Sequence, residues 1–390
     1  MSNFNQKIDF MESFDDYYIN WDPSFDKDII KIINKNSLKN SKSSNIDDYE
    51  KFCYDVKKLG SNYNCRENLK IEIKSDTLDL VYNFKGIIGS GSCGFIFLYN
   101  KVSCNKVCND VVLKFGLEGE ENTSKNESSL HFILNSFQKK ISEDNIKSIQ
   151  IVPNLDLILM TNDNFYHLIM ERANAELGIF FREYHPLTII YSSNLQNRSN
   201  LLICKESEKF SYWNIYLEFL FQICIKLIYL QDNFKFMHND LKCNNILVKF
   251  NRDKKRSIFS DYENKLDYSS LVFLLCDLGG ASYIYNKKKF EGTILGSDAK
   301  FNRCKDLFHL VHMQLAFSEH RNELIDFIKQ FDIFKLEYNL ISKEDKKWIK
   351  IYTYVEDGNK IDKSFDPRIL KEKLISISKG CKESKDFINK

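Results

Sequence analysis

The stretch His238-Asn239-Asp240-Leu241-Lys242-Cys243-Asn244-Asn245-Ile246-Leu247, followed downstream by Cys276-Asp277-Leu278-Gly279, decides how this chain reads. An Asp, a Lys two residues on and an Asn five residues on fit one tight loop and can divide three jobs among them. The Asp accepts a proton from an attacking hydroxyl, the Lys neutralises a phosphate, and the Asn holds a divalent cation. A second Asp, Asp277, follows the apolar run Leu271 to Leu275 and supplies another oxygen ligand. Mg²⁺ suits such a set, because a hard cation prefers oxygen.

The loop resembles the H-R-D-L-K-x-x-N catalytic loop of eukaryotic-type protein kinases, and Asp277-Leu278-Gly279 resembles their D-F-G. The resemblance implies an α+β, two-lobed protein-kinase-like fold. The small N-lobe would be rich in β-strands with one main helix, and the larger C-lobe would be helical. ATP and Mg²⁺ are the implied cofactors. Asp240 and Lys242 take the catalytic roles, and Asn245 and Asp277 the metal-binding ones. His238 reads as structural, packed beneath the metal loop.

A glycine-rich turn, Gly89-Ser90-Gly91-Ser92-Cys93-Gly94, lies between the apolar runs Phe84 to Ile88 and Phe95 to Tyr99. Strand, turn, strand is a hairpin. The dinucleotide-binding use of the same glycine spacing must open a helix and is excluded. A hairpin covering ATP phosphates fits. Lys114 sits in Val111-Val112-Leu113-Lys114, which resembles the V-A-I-K strand. A lysine inside an apolar strand needs a partner, because an unpaired buried charge is costly. Glu127, near the start of a helical pattern, is the partner chosen. Glu120 and Glu121 compete, but they read as part of a Gly-containing turn. By resemblance, Leu168-Ile169-Met170-Glu171-Arg172-Ala173 is the strand and hinge joining the lobes. Met170 then takes the gatekeeper position, and backbone groups of Glu171 and Ala173 bind adenine. Glu176 would reach the ribose, and Ile96 and Leu247 would complete the ATP-binding set. Cys93 and Cys243 read as small space-fillers beside the chemistry.

Residues 81–171 are thus assigned to the N-lobe and 172–390 to the C-lobe, with 1–80 an N-terminal extension, partly disordered or accessory. Within the extension Asp28 to Ile33 suggests a short helix and Asn34 to Asp48 a linker rich in Asn, Ser and Lys. The run Trp213 to Leu230 carries Glu218, Gln222 and Lys226 at four-residue spacing, so it reads as a buried amphipathic helix and not a membrane span. Lys305 to His312 reads as a buried helix, and Asp306 resembles the aspartate that braces the catalytic loop in this family. Lys254-Lys255-Arg256 reads as a solvated loop.

The chain has 390 residues, 43% hydrophobic and 28% charged, with a net charge of +2. That balance gives no field that would attract nucleic acid or an acidic membrane. Eleven scattered cysteines, the polar start Met1 to Asp16 and the absence of a signal-peptide pattern point to a reducing, cytoplasmic setting. Cys104 and Cys108 have no second pair to complete a zinc site.

The chain departs from the family pattern in places. Asn239 replaces the Arg that commonly reads an activation-loop phosphate, so activity should not require such phosphorylation. Leu278 replaces Phe, and no A-P-E triplet follows Asp277. His131 stands where the family has an apolar residue. AT-rich-codon composition and the Asp306 to His312 helix also resemble protein kinases of large cytoplasmic DNA viruses, the poxvirus type, which would place the chain in host cytoplasm or virion. Lys242, two residues after Asp240, is the Ser/Thr-type arrangement, so the expected partner is a protein with Ser or Thr acceptors. Two alternatives stay open: a small-molecule phosphotransferase of the aminoglycoside or choline kinase type, and a pseudokinase that only binds partners.

Overall fold

The computed structural model describes residues 70–75, 78–91, 94–103, 106–116, 121–143, 150–160, 166–184, 212–250, 271–292, 300–318, 321–341, 347–354 and 359–383. The expected helix at 28–33 and linker at 34–48, Ser92, Cys93, Cys104 and Lys254 to Arg256 lie outside them. The architecture is α+β: a β-rich N-terminal region with one main helix, then a mostly helical C-terminal region. The described chain divides into two compact units. One contains residues 70–137 and 153–172, and the other contains 138–152 and 173–383.

The first unit is built on a six-stranded antiparallel sheet in the order β1-β2-β3-β4-β6-β5. Its strands are β1 (Lys70–Ser75), β2 (Leu78–Gly91), β3 (Gly94–Ser103), β4 (Lys106–Gly116), β5 (Leu155–Met160) and β6 (Tyr166–Glu171). The sheet begins at Lys70, inside the segment read as an extension. The strict alternation Lys70-Ile71-Glu72-Ile73-Lys74 is the local signal for it, since alternate side chains of a strand face opposite sides. β2 and β3 form the expected hairpin, closing at Gly91 opposite Gly94. Register shifts between Phe84 and Gly86 and between Ile87 and Gly89 bend β2 as it approaches the glycines.

Helix α1 (Glu121–Glu143) starts at Glu121, so Glu121 belongs to the helix and not to a turn, and Glu127 lies in the second turn. Leu130 and Leu134 are buried on it, but so are several polar groups. His131 Nε2 bonds to the Pro153 carbonyl at 2.8 Å, and Asn135 donates to the same oxygen at 3.2 Å. Asn135 also accepts from the Leu155 amide at 2.9 Å. These bonds satisfy the backbone where the chain enters β5, which accounts for a polar residue at 131. Burial lowers the His131 pKa to about 4, so the ring is neutral.

In the second unit, β7 (Ala175–Glu176), β8 (Ile246–Phe250) and β9 (Leu271–Leu275) form a three-stranded sheet in that order. A hairpin of β10 (Tyr283–Tyr285) and β11 (Lys288–Phe290) follows. The helices are α2 (Leu177–Tyr184), α3 (Tyr212–Phe234), α4 (Lys305–Phe317), α5 (Arg321–Gln330), α6 (Lys347–Thr353) and α7 (Pro367–Glu383). The core is aromatic around α3. Phe181, Tyr216 and Phe219 touch one another with ring centroids 5.5–5.8 Å apart, and Phe219 meets Phe273 of β9 at 5.3 Å.

The Glu218-Gln222-Lys226 stripe of α3 is buried, not solvated. Gln222 donates to the Leu271 carbonyl at 2.9 Å and accepts from the Phe273 amide at 3.2 Å, and Lys226 donates to the Phe273 carbonyl. Ile151 accepts from the Leu275 amide at 2.9 Å. The outer edge of β9 is therefore bonded by side chains and by an irregular segment. Burial pulls the Lys226 ammonium down to about 7, against the pull of nearby Glu218. Among the described residues, no helix is long and apolar enough to cross a membrane.

Candidate active site

The loop that links α3 to β8 holds the predicted residues in the second unit. Asp240 is 7% exposed and its carboxylate is crowded with donors. Lys242 Nζ lies 3.0 Å from Oδ1 and 2.8 Å from Oδ2, and Asn245 Nδ2 lies 2.9 Å from Oδ2. Asn245 Nδ2 also donates to the Asp240 carbonyl at 2.8 Å. The amide nitrogen of Asn245 is thus committed to Asp240, and its side-chain oxygen is the atom suited to a cation. The Asn245 carbonyl accepts from the Cys276 amide at 3.0 Å, which ties the loop to the end of β9 next to Asp277.

Two backbone positions near this chemistry are left-handed. Asn239 has φ 65° and Asp277 has φ 58°. Non-glycine residues adopt this region at a cost of about 1–3 kcal/mol and persist there only when neighbours over-determine them. At Asn239 those neighbours are visible. Its side chain donates to the Gly280 carbonyl at 3.0 Å and to Ser282 Oγ at 2.7 Å, and it accepts from Lys305 Nζ at 3.1 Å. Its amide donates to Asp306 at 3.1 Å. Asn239, which stands in place of the Arg of the resembled motif, is held by these four bonds.

Asp306, at the start of α4, also accepts both ways from the His238 amide, at 2.9 and 3.0 Å. It braces the loop backbone as the sequence suggested. Burial pushes its pKa up, opposed by nearby His238, by the two backbone N–H groups and by Lys305. His238 is fully buried and its Nε2 bonds to the Cys276 carbonyl at 3.0 Å, consistent with a structural role. Reciprocal backbone bonds between Met237 and Ser282, 2.8 and 2.9 Å, pin the loop entrance to the segment after Asp277. Farther along that segment Gly292 is packed so closely on the Gly280 backbone that a Cβ there would collide with it.

Sequence reasoning missed Tyr352. From α6 its hydroxyl donates to Asp240 Oδ1 across 112 positions of sequence. The residue is buried, and its ring meets His309 of α4 edge-on at 5.1 Å. Burial first, then the charges of Asp240 and Asp277, push the phenol pKa far up, so it stays protonated and donates. Only an aromatic residue in a short amphipathic stretch marks it in the sequence, and that is no signal for a site.

Other predicted residues fall in the first unit. Lys114 Nζ bonds Glu127 Oε1 at 2.7 Å, and the two side chains are 15% and 8% exposed. The sequence chose this pairing over Glu120 and Glu121. Ile96 stands opposite Lys114 in the β3–β4 register, and Met170, buried in β6, stands opposite Val112. Gly89, Ser90 and Gly91 end β2, and Gly94 opens β3. Glu171 has its amide on the Asn154 carbonyl at 2.9 Å and its carboxylate on Asn154, and it stands opposite Val111 in the β4–β6 register. Ala173, Glu176 and Leu247 belong to the second unit, where Glu176 pairs with Leu247 across β7 and β8.

Cys224, Cys243, Cys276 and Cys304 are free thiols. Burial raises the Cys243 pKa to about 12, which makes it inert, as a space-filler should be. Among the described residues, no group of three or more His, Cys, Asp or Glu side chains is arranged to hold a metal by itself. Mg²⁺ does not need one, since it commonly uses one or two carboxylates with waters and substrate phosphates. Asn245 and Asp277 fit that minimal donor set. No protein-family model matches the chain, and no curated protein matches it.

Proposed function

We propose that the chain is an ATP-dependent protein serine/threonine kinase with a protein-kinase-like fold. One observation carries the reading: Lys242 and Asn245 both donate to the buried Asp240 carboxylate on a single braced loop. That is the set of groups an in-line phosphoryl transfer needs, since such a transfer requires positioning and charge compensation more than covalent help. The Lys114–Glu127 ion pair supports the reading independently.

On this reading Asp240 orients the acceptor hydroxyl and takes its proton. Lys242 leaves the carboxylate for a phosphate oxygen. Lys114, oriented by Glu127, neutralises the phosphates nearer the nucleoside, and the amides of the Gly89–Gly94 turn close over them. The oxygens of Asn245 and Asp277 hold Mg²⁺, which when bound compensates charge on the phosphoryl oxygens. The bonds that fix Asn239 support activity without a phosphate on this part of the chain.

The test is transfer of labelled phosphate from ATP, with Mg²⁺, to generic Ser/Thr protein substrates, beside Asp240→Asn and Lys114→Met. Label on serine or threonine, lowered about 10²–10⁴-fold by Asp240→Asn, is the expected result. Label only on small hydroxyl compounds would move the reading to a small-molecule phosphotransferase. Absence of nucleotide binding would leave a partner-binding pseudokinase.

A further inference from the structure

We infer that Tyr352 is a positioning residue for Asp240, holding the carboxylate in the rotation that presents one oxygen to the acceptor hydroxyl. This rests on the phosphoryl-transfer reading above. The Asp240 carboxylate receives donors on both oxygens. Oδ1 takes Tyr352 and Lys242, and Oδ2 takes Lys242 and Asn245. Lys242 has a second duty in the transfer, because a free ammonium on a flexible stem is drawn to a phosphate. Its side chain is 33% exposed, so it has room to swing.

Tyr352 differs from Lys242 in every respect that matters here. Its hydroxyl is neutral and has no call to a phosphate. Its ring is buried and seated on His309, so the donor is held by packing and not by a flexible stem. When Lys242 departs, Tyr352 remains on Oδ1. With Oδ1 anchored there and the Asn245 amide on the same carboxylate, rotation about Cβ–Cγ is restricted and Oδ2 keeps a defined direction. Loss of such orientation lowers the rate of a step that depends on near-attack geometry, without changing how substrates bind.

The experiment compares the full-length wild type with Tyr352→Phe, using ATP, Mg²⁺ and dephosphorylated casein. Phe keeps the ring against His309 and removes only the donor. We expect kcat to fall about tenfold, the effect of losing one hydrogen bond to a charged group. KM for ATP and for casein should stay within about twofold, and the thermal melt should stay near wild type. Tyr352→Met, which fills a comparable buried volume without a donor, should lose the same tenfold and serves as the second variant should Phe fold poorly. An unchanged kcat in a folded Phe variant overturns the inference, and so does a rate loss carried wholly by KM. Phosphate found on Tyr352 of the wild type also overturns it, since the hydroxyl would then be an acceptor. A wild-type chain that transfers no phosphate ends the kinase reading and this inference together, whereas an active wild type matched by its Phe variant ends this inference alone.

Discussion

The loop His238–Asn245 and the pair Lys114–Glu127 are held in contrasting ways. The pair joins a strand to the helix that follows it, thirteen positions apart in sequence. The loop is fastened from three directions, by Asp306 and Lys305 of α4, by the Met237–Ser282 bridge and by Tyr352 of α6. An ion pair between two side chains can open and re-form without moving the backbone. A loop with two left-handed residues next to it cannot be moved without breaking several buried bonds at once. The contrast teaches where rigidity is concentrated: in the loop that carries Asp240, more than in the ion pair of the first unit.

The largest test of that contrast is Asp306→Ala. It leaves the buried amides of His238 and Asn239 without their shared acceptor and removes the negative charge near the buried Lys305 ammonium. A destabilisation of about 3–5 kcal/mol is expected, read by urea unfolding followed through tryptophan fluorescence. A loss under about 1 kcal/mol would mean that the other fastenings suffice, and that the loop is over-determined without α4. Removing Lys114 should do less to stability. Lys114→Met is expected to cost about 1–3 kcal/mol, because Glu127 retains some access to water. Combining it with Glu127→Met in a double-mutant cycle gives the coupling directly. A coupling as large as the effect of Asp306→Ala would erase the distinction between the two regions.

The last test comes with acid, and its effect is spread over both units. Burial lowers the pKa of His131 and His312 to about 4 and of His167 and His309 to about 3. In the unfolded chain each titrates near 6.5. The unfolded state therefore binds more protons between these values, so stability is intact above about pH 6.5 and is lost as pH falls toward 4. Two of the four lie in each unit, so both should weaken together. Hydrogen exchange at pH 7 and about pH 5 would resolve them, and loss confined to one unit would refute the even distribution. Lys226 acts on the other side. Its folded pKa near 7 lies below its ordinary 10.5, so stability should climb further as pH rises through that interval.

Much of this arrangement could be read from the chain. Asp240, Lys242 and Asn245 lie within six residues, and a motif that short brings its own geometry. The Lys114–Glu127 pairing followed from the cost of an unpartnered lysine on an apolar strand. Three features could not be read in that way. Tyr352 is 112 positions from the carboxylate it touches, and nothing local sets it apart. Lys305 heads a helix read as buried, but nothing local shows that its ammonium, 1% exposed, bonds Asn239. The stripe Glu218-Gln222-Lys226 has the spacing of a polar helix face, and periodicity alone cannot say whether that face meets water or a strand edge. Strand β1 was legible and overlooked: its alternation is plain once Lys70 to Lys74 is read as a unit.

That stripe carries one further consequence. β9 is the last strand of its sheet, and a bare strand edge is a template on which another polypeptide can add itself. Gln222 answers two groups of that edge as a neighbouring strand would, and Lys226 places a charge-bearing group on a third. The strand that presents Asp277 is thereby closed to recruitment by a second molecule. The helix guards the protein against aggregation at the strand that leads to Asp277.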